Sequence, residues 1–292
     1  MGKCLYVDSG FGQAQRLEWE YQAEVCFLRI AKAGCFHKGI IYPEKRKERR
    51  KMTGIADVHS HILPGLDDGA PAGKISVEML RAASAQGIRR MIATPHYSFQ
   101  FPNADPHRIK GLCRGLNRKA EKEKIPCRVY PGQEIMYSER ALELLVKGEL
   151  LTMAGSRYIL VEFDPSAPYS FIYMAIRKCA TEGYLPIVAH VERYRSVYGP
   201  GKAQELISQG AYLQMNYQRI AGKWNDDTAR WCRSMLKKEQ IHFLGTDMHN
   251  LTSRKPDIAR QLKWIERHLE IEYAERILWK NATKILADEK IL

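Results

Sequence analysis

Asp57-Val58-His59-Ser60-His61, followed closely by Asp67-Asp68-Gly69, is the stretch on which the fold turns. In an extended strand successive side chains alternate faces, so Asp57, His59 and His61 are expected on one side. Two imidazoles at that spacing converge on one point, and the carboxylates close behind can hold a second cation. A lone strand histidine is more often a hydrogen-bonded core residue than a ligand, so the motif needs a partner. It has one near the other end of the chain, Thr246-Asp247-Met248-His249, again with period two.

Outward from the motif, short apolar runs alternate with longer amphipathic segments. The runs cover 55–58, 90–93, 128–130, 158–162, 186–189, 211–215 and 242–245. Helical patterns cover 77–85, 108–122, 138–146, 171–181, 203–208, 225–236, 257–268 and 273–286. Strands alternating with helices predict a parallel sheet, either doubly wound and open or closed into a barrel. No GxGxxG or GxxxxGK[ST] follows a strand, so a nucleotide cradle is unsupported. Seven β–α units in about 240 residues favour the barrel.

Nearly every apolar run ends in a residue able to bind a divalent metal. The first ends in His59 and His61, the second in His96, the third in Glu134, the fourth in Glu162, the fifth in His190 and the seventh in Asp247 and His249. In a parallel barrel all strand C-termini meet at one face, where such enzymes place their chemistry. Five of the nine histidines belong to this set; His37, His107, His242 and His268 read as surface or structural. With Asp68 added, nine ligands are too many for one open ion and suit two or three. The set contains imidazole and carboxylate but no thiolate, which points to Mn²⁺, Fe²⁺ or Zn²⁺ rather than a structural zinc. Four carboxylates against three divalent ions leave a charge of about +2, which favours an anionic substrate such as a phosphate monoester. Asp57 reads either as a carboxylate orienting a ligand histidine or as a strand-end hydrogen bond.

Arg193 in HVERY and Arg254 in HNLTSRKP lie beside ligand motifs. Guanidinium forks suit phosphoryl oxygens, although arginines next to metal ligands also serve as salt-bridge partners. Tyr97 and Tyr194 are candidates for the pocket wall. None of the seven cysteines has the arginine six positions on that a thiol phosphatase loop requires, so a cysteine nucleophile is excluded.

Composition sets the remaining bounds. Scattered cysteines, odd in number and without a CxxC pair, fit reduced thiols in a cytoplasmic protein. No apolar stretch approaches the length of a membrane span, and no secretory signal opens the chain. The formal charge of +13 indicates a general preference for anionic partners. Its basic residues are spread rather than clustered with aromatics, so a nucleic-acid stripe is not supported. The exception is Lys45–Lys51, which closes a segment, 1–51, lacking the alternation seen later. That run reads as a nucleic-acid or membrane-surface tail, as a solvated linker, or as sequence not normally translated. Codons such as GAG-AGG-AGG-AAA for Glu48–Lys51 would place a ribosome-binding sequence before Met52. The expectation is therefore an N-terminal extension over 1–51, arising from the gene model, and a single domain over 52–292.

The strings DVHSHILPGLDDGA, ATPHY, PGQEI, VEF, AHVERY and LGTDMHN resemble the polymerase and histidinol phosphatase (PHP) superfamily. More narrowly, they resemble the manganese-dependent protein-tyrosine phosphatases of bacterial capsule and exopolysaccharide loci, the CpsB/CapC type. The resemblance runs from about Met52 to the C-terminus and implies a PHP-type distorted (β/α)7 TIM-like barrel with a three-ion centre, Mn²⁺ first. It implies that His59, His61, Asp247 and a bridging Glu134 hold one ion, that Glu134, Glu162 and His190 hold a second, and that Asp68, His96 and His249 hold a third. Arg193 and Arg254 fall where the family places phosphate-contacting arginines. The implied activity is metal-dependent hydrolysis of phosphotyrosine in proteins, the substrate being a membrane-associated bacterial tyrosine kinase. The chain itself is expected to be neither a membrane nor a nucleic-acid-binding protein; a homo-oligomer is left open. Tyr97 stands where many relatives have a second histidine, and 1–51 has no counterpart. The rival readings are a histidinol-phosphatase-like phosphomonoesterase, a phosphodiesterase or nuclease, and a non-catalytic scaffold.

Overall fold

The expected apolar runs become nine short strands, because two of the lines they form are broken. The computed structural model describes residues 54–98, 101, 104–223 and 225–291. The expected extension, the basic run, Met52 and His37 lie outside the described residues. β1 (Ile55–Ser60) is followed by α1 (Gly73–Ala85), β2 (Ile88–Ala93) and β3 (His96–Tyr97). Pro95, which lacks an N–H for a ladder, lies between β2 and β3. After α2 (Pro106–Lys122) come β4 (Arg128–Pro131) and β5 (Glu134–Met136), separated by Gly132 and Gln133. A Cβ on Gly132 would stand 3.0 Å from Ile92 and 3.2 Å from the Met153 sulfur, so the break is tightly packed.

The rest of the chain keeps the alternation: α3 (Glu139–Val146), β6 (Tyr158–Glu162), α4 (Tyr169–Thr181), β7 (Leu185–Val188), α5 (Lys202–Ser208) and β8 (Tyr212–Asn216). α6 (Tyr217–Ile220), α7 (Asp227–Lys237), β9 (Phe243–Gly245), α8 (Ala259–His268) and α9 (Ile271–Glu275) follow. A five-residue π turn, Arg276–Lys280, leads into α10 (Asn281–Ala287), so the helix expected over 273–286 is three pieces. Several boundaries follow from capping chemistry. Asp105 accepts from the His107 N–H before Pro106, Ser138 accepts from Ala141, and Asp226 accepts from Thr228 and Ala229.

Every strand pair among the described residues is parallel, in the orders β1-β2-β4 and β3-β5-β6-β7-β8-β9. The ends of β1 and β9 come together as well. Ser60 forms an isolated parallel bridge with Met248, the Asp247 N–H donates to His59 O (2.8 Å), and the His61 N–H donates to Met248 O (3.0 Å). The result is a mixed α/β fold whose parallel strands form a half-barrel.

Two apolar layers hold it. One contains Leu80, Ile88, Met91, Ile172, Leu213 and Leu236, which join strands to the surrounding helices. The other contains Val58, Ile92, Leu160, Ile187 and Phe243 together with Ala282 and Ile285 of α10. At the strand N-terminal ends Tyr158 and Tyr212 donate to the backbone oxygens of Glu289 and Ile291, so the C-terminal segment covers the end opposite the ligands. No helix among the described residues is long and apolar enough to cross a membrane.

Candidate metal centre

All nine ligands expected from the sequence meet at the strand C-terminal ends, in four overlapping groups. These are His61, Asp68, His96 and His249; His59, His61 and Asp247; His59, Glu134 and His190; and His96, Glu134 and Glu162. The sharing differs in detail from the expected partition. Glu134 and Glu162 meet His96 as well as His190, and His61 faces two groups. Two of the ligands hold unusual backbone: His190 has φ 30° and Asp247 φ 49°, the left-handed region that non-glycine residues rarely occupy. Each lies two residues past the end of β7 or β9, and the turn swings its side chain into the cluster.

Hydrogen bonding to the far ring nitrogens fixes what the histidines present. His61 Nδ1 donates to Asp67 Oδ2 at 2.7 Å, and His249 Nδ1 donates to the Asp247 carbonyl at 3.0 Å. His59 Nδ1 lies 3.1 Å from Gln214 Oε1. With protons on those nitrogens, the Nε2 lone pairs face inward. His59 Nε2 and His61 Nε2 are only 3.3 Å apart, with Glu134 Oε2 at 3.0 and 3.2 Å and Asp247 Oδ1 at 3.6 and 3.5 Å. Four acceptors around one buried point leave a place that a cation fits and a hydrogen-bond donor of the protein does not fill. His96 Nδ1, Glu134 Oε2 and His249 Nε2 are buried without a hydrogen-bond partner among the described residues. Such orphaned atoms are costly unless something else satisfies them. The donor set therefore fits divalent metal.

The electrostatics carry the same imprint. Burial pushes the Asp67 carboxyl up, but the His61 hydrogen bond and charge outweigh it and bring its pKa down to about 2. Burial likewise opposes ionisation of Glu134, yet the neighbouring His59 and His190 hold it well below the usual carboxylate range. Arg193 and Arg254 stand at the rim, with side chains about one-third exposed. Arg193 Nη2 pairs with Asp247 Oδ2 while its Nη1 lies 3.8 Å from Glu162; Arg254 Nη2 lies 2.9 Å from Asp247 Oδ1 and its Nη1 3.5 Å from Asp68. Both forks thus border the ligand cluster and water together.

Other expectations resolve differently. Asp57 joins no ligand group: its carboxylate accepts from Thr246 N–H (2.9 Å), Thr246 Oγ1 (2.5 Å) and His59 N–H (3.2 Å). Of its two readings, the strand-end hydrogen bond is the one seen. The β1–β2 register shifts between Asp57 and Ser60, so strict alternation does not run through the motif. Tyr194 is fully buried rather than a wall; its hydroxyl accepts from Phe163 N–H (3.0 Å) and meets His190 Nδ1 (3.3 Å). Tyr97 is half-buried against the core. His107 and His268 are exposed, and His242 is structural. Asp67, offered with Asp68 as a cation-holding carboxylate, instead takes the His61 Nδ1 proton and joins no ligand group, and sequence reasoning missed Gln214, Asn216 and Glu192, although the two amides sit with period two at the end of β8. It also did not anticipate Phe101, whose ring stacks on His96 at 5.0 Å.

Residues 55–287 match the family described as capsular polysaccharide synthesis, CpsB/CapC. The chain is 33% identical over 240 residues to tyrosine-protein phosphatase YwqE of Bacillus subtilis (strain 168), a match spanning 81% of this chain and 93% of that protein. It is 30% identical over 244 residues to tyrosine-protein phosphatase CpsB of Streptococcus agalactiae serotype III (strain NEM316), across 81% of this chain and 100% of that one. Among solved structures it superposes at TM-score 0.75, with 32% identity over 82% of this chain and 96% of the other. That chain comes from the crystal structures of YwqE from Bacillus subtilis and CpsB from Streptococcus pneumoniae, "unique metal-dependent tyrosine phosphatases". The phosphotriesterase homology protein of Escherichia coli shares the fold alone: TM-score 0.52 and 10% identity over 81% of this chain and 99% of that one.

Proposed function

The chain belongs to the CpsB/CapC family of capsular polysaccharide synthesis, and from that premise we propose that it is a metal-dependent phosphatase hydrolysing phosphotyrosine in proteins. The observation that carries the reading is the buried point shared by His59 Nε2, His61 Nε2, Glu134 Oε2 and Asp247 Oδ1, bordered by two arginine forks. The finer reading assigns three ions, manganese first and Fe²⁺ or Zn²⁺ as alternatives. His59, His61, Asp247 and Glu134 hold one; Glu134, Glu162 and His190 a second; Asp68, His96 and His249 a third. Counting β2 with β3 and β4 with β5 as single lines gives seven, which supports a distorted (β/α)7 barrel over 52–292.

Divalent ions in this donor set supply Lewis acidity toward phosphoryl oxygen and activate water near neutral pH. The chain's own residues do the rest. Arg193 and Arg254 orient the phosphoryl group from the rim and neutralise its equatorial oxygens. Asp67 keeps the His61 Nδ1 proton in place, and Tyr194 braces the His190 ring. Tyrosinate, with a reference pKa of about 10, departs with little need of a general acid. The physiological substrate in this reading is a phosphotyrosine-bearing bacterial tyrosine kinase at the membrane, met from the cytoplasm.

The test is an assay on phosphotyrosine peptide with the chain stripped of metal. Activity that vanishes with chelator and returns with Mn²⁺ is the expected result; full activity in excess chelator overturns the proposal. A higher kcat/KM on histidinol phosphate than on the peptide would instead favour the small-molecule phosphomonoesterase.

A further inference from the structure

Strand β8 brings no metal-ligating side chain to the centre, yet Gln214 and Asn216 project from its end into the ligand cluster. Both are buried, Gln214 completely. Gln214 Oε1 accepts from the backbone N–H of His190 at 2.6 Å and lies 3.1 Å from His59 Nδ1. Its Nε2 donates to Asn216 Oδ1 at 3.0 Å, and Asn216 Nδ2 donates to Asp247 Oδ2 at 2.9 Å. The Asn216 backbone N–H is held in turn by the buried Glu192 carboxylate, at 3.3 and 3.4 Å.

The direction of this chain of bonds is not free. A backbone N–H only donates, so the Gln214 atom facing His190 must be oxygen. The Gln214 amide nitrogen then faces Asn216 Oδ1, which turns Asn216 Nδ2 toward Asp247 Oδ2. His59 Nδ1 therefore meets an acceptor and must donate, which leaves its Nε2 lone pair facing His61, Glu134 and Asp247. At the other end, Asn216 and Arg193 occupy Asp247 Oδ2, while Oδ1, which also accepts from Arg254, faces the same point. The packing makes room for nothing else: a Cβ on Gly245 of β9 would stand 2.6 Å from His59 Cβ and 2.8 Å from Gln214 Nε2.

We propose that Gln214 and Asn216 are positioning residues that lock the His59 tautomer and the Asp247 rotamer together, so that β8 sets the divalent-cation affinity of the His59–His61–Asp247 group. The inference rests on the metal-centre reading above, and its test reads metal binding rather than turnover. Wild type and the variants Gln214→Leu, Gln214→Met and Gln214→Glu of the full chain are stripped of metal and titrated with Mn²⁺ at buffered free concentration. Bound metal is read by elemental analysis and by loss of the paramagnetic resonance signal of free Mn²⁺. Leu and Met remove the acceptor at similar volume; Glu keeps an oxygen for His59 Nδ1 and the His190 N–H but gives up the donor to Asn216 Oδ1.

The expected result is Mn²⁺ affinity weakened about tenfold to a hundredfold in the Leu and Met variants, with Glu closer to wild type than to Leu. At saturating Mn²⁺ the KM for a phosphotyrosine peptide stays that of wild type, because Gln214 is shielded from the substrate. Should one apolar variant not fold, the other and Asn216→Leu decide in the same way. Wild-type affinity in the folded apolar variants overturns the inference alone. A wild-type chain that takes up no Mn²⁺ overturns the metal-centre reading and this inference with it.

Discussion

His242 offers a test of the electrostatics at a distance from the metal centre. It immediately precedes β9, its Nδ1 accepts from the Leu213 N–H at 3.1 Å, and its ring meets Tyr212 edge-on with centroids 5.2 Å apart. Burial pulls its pKa down from 6.5 to about 4. A nitrogen that accepts from an N–H cannot carry a proton, so protonating Nδ1 breaks the β8 contact as well as placing a charge in an apolar setting. On acidification the unfolded chain therefore takes up this proton first. The stability it confers is present above about pH 6.5 and is lost as pH falls toward 4. Between about pH 7 and about pH 5 the linkage amounts to about 2 kcal/mol. The ring is partly open to water, which reduces the expectation to about 1–2 kcal/mol. His242→Asn keeps an acceptor within reach of Leu213 and does not titrate in this range. Urea unfolding of both proteins, with chelator present so that metal loss is common to each, measures the difference. Wild type should lose about 1–2 kcal/mol more than the variant between the two pH values. Parallel losses, within about 0.5 kcal/mol, would refute the buried neutral imidazole.

Three further outcomes follow from the site. Arg193→Ala and Arg254→Ala should each lower kcat/KM on phosphotyrosine peptide by about a hundredfold while bound metal stays unchanged; a matching loss of metal would mean that the arginines serve Asp247 instead. Gly69→Ala should release the Asp67–Asp68 turn, because its Cβ would fall 2.1 Å from the His61 carbonyl oxygen, and Mn²⁺ uptake should fall with it; unchanged uptake would contradict that packing. Tyr194→Phe strips the acceptor from the buried Phe163 N–H and should cost about 1–3 kcal/mol in urea unfolding, with a loss below about 0.5 kcal/mol counting against the bond.

The cluster of candidate ligands was legible because its residue types are uncommon at strand ends and recur in phase with the apolar runs. His59, His96, Glu134, Glu162 and His190 each close or follow a run whose period announces a strand, and parallel pairing then brings all the ends to one face. Strands such as β6 and β9 were legible because they are buried on both faces and read as continuous apolar runs. The breaks after β2 and β4 were not, although Pro95 and Gly132 stand in them. A run that ends in a ligand motif looks the same whether the strand stops or resumes two residues later.

What stayed hidden was the layer that orients the ligands, and the reason lies in distance along the chain. The bond between Gln214 and His59 joins residues 155 positions apart, and Asn216 reaches Asp247 across 31. Amides are not metal-ligand types, so a search by ligand chemistry passes over β8 as the one run without a contribution. Burial supplies the signal that ligand chemistry lacks. Two amides with period two, in a strand otherwise filled by Tyr212, Leu213 and Met215, must find partners inside the protein or cost stability. At a strand end surrounded by histidines and carboxylates, the partners on offer are those ligands. The same logic separates Asp67 from Asp68: the buried carboxylate holds a ring nitrogen, and the half-exposed one remains to face His249 and His96. In this centre, type and strand phase pick out the ligands, whereas burial picks out the residues that aim them.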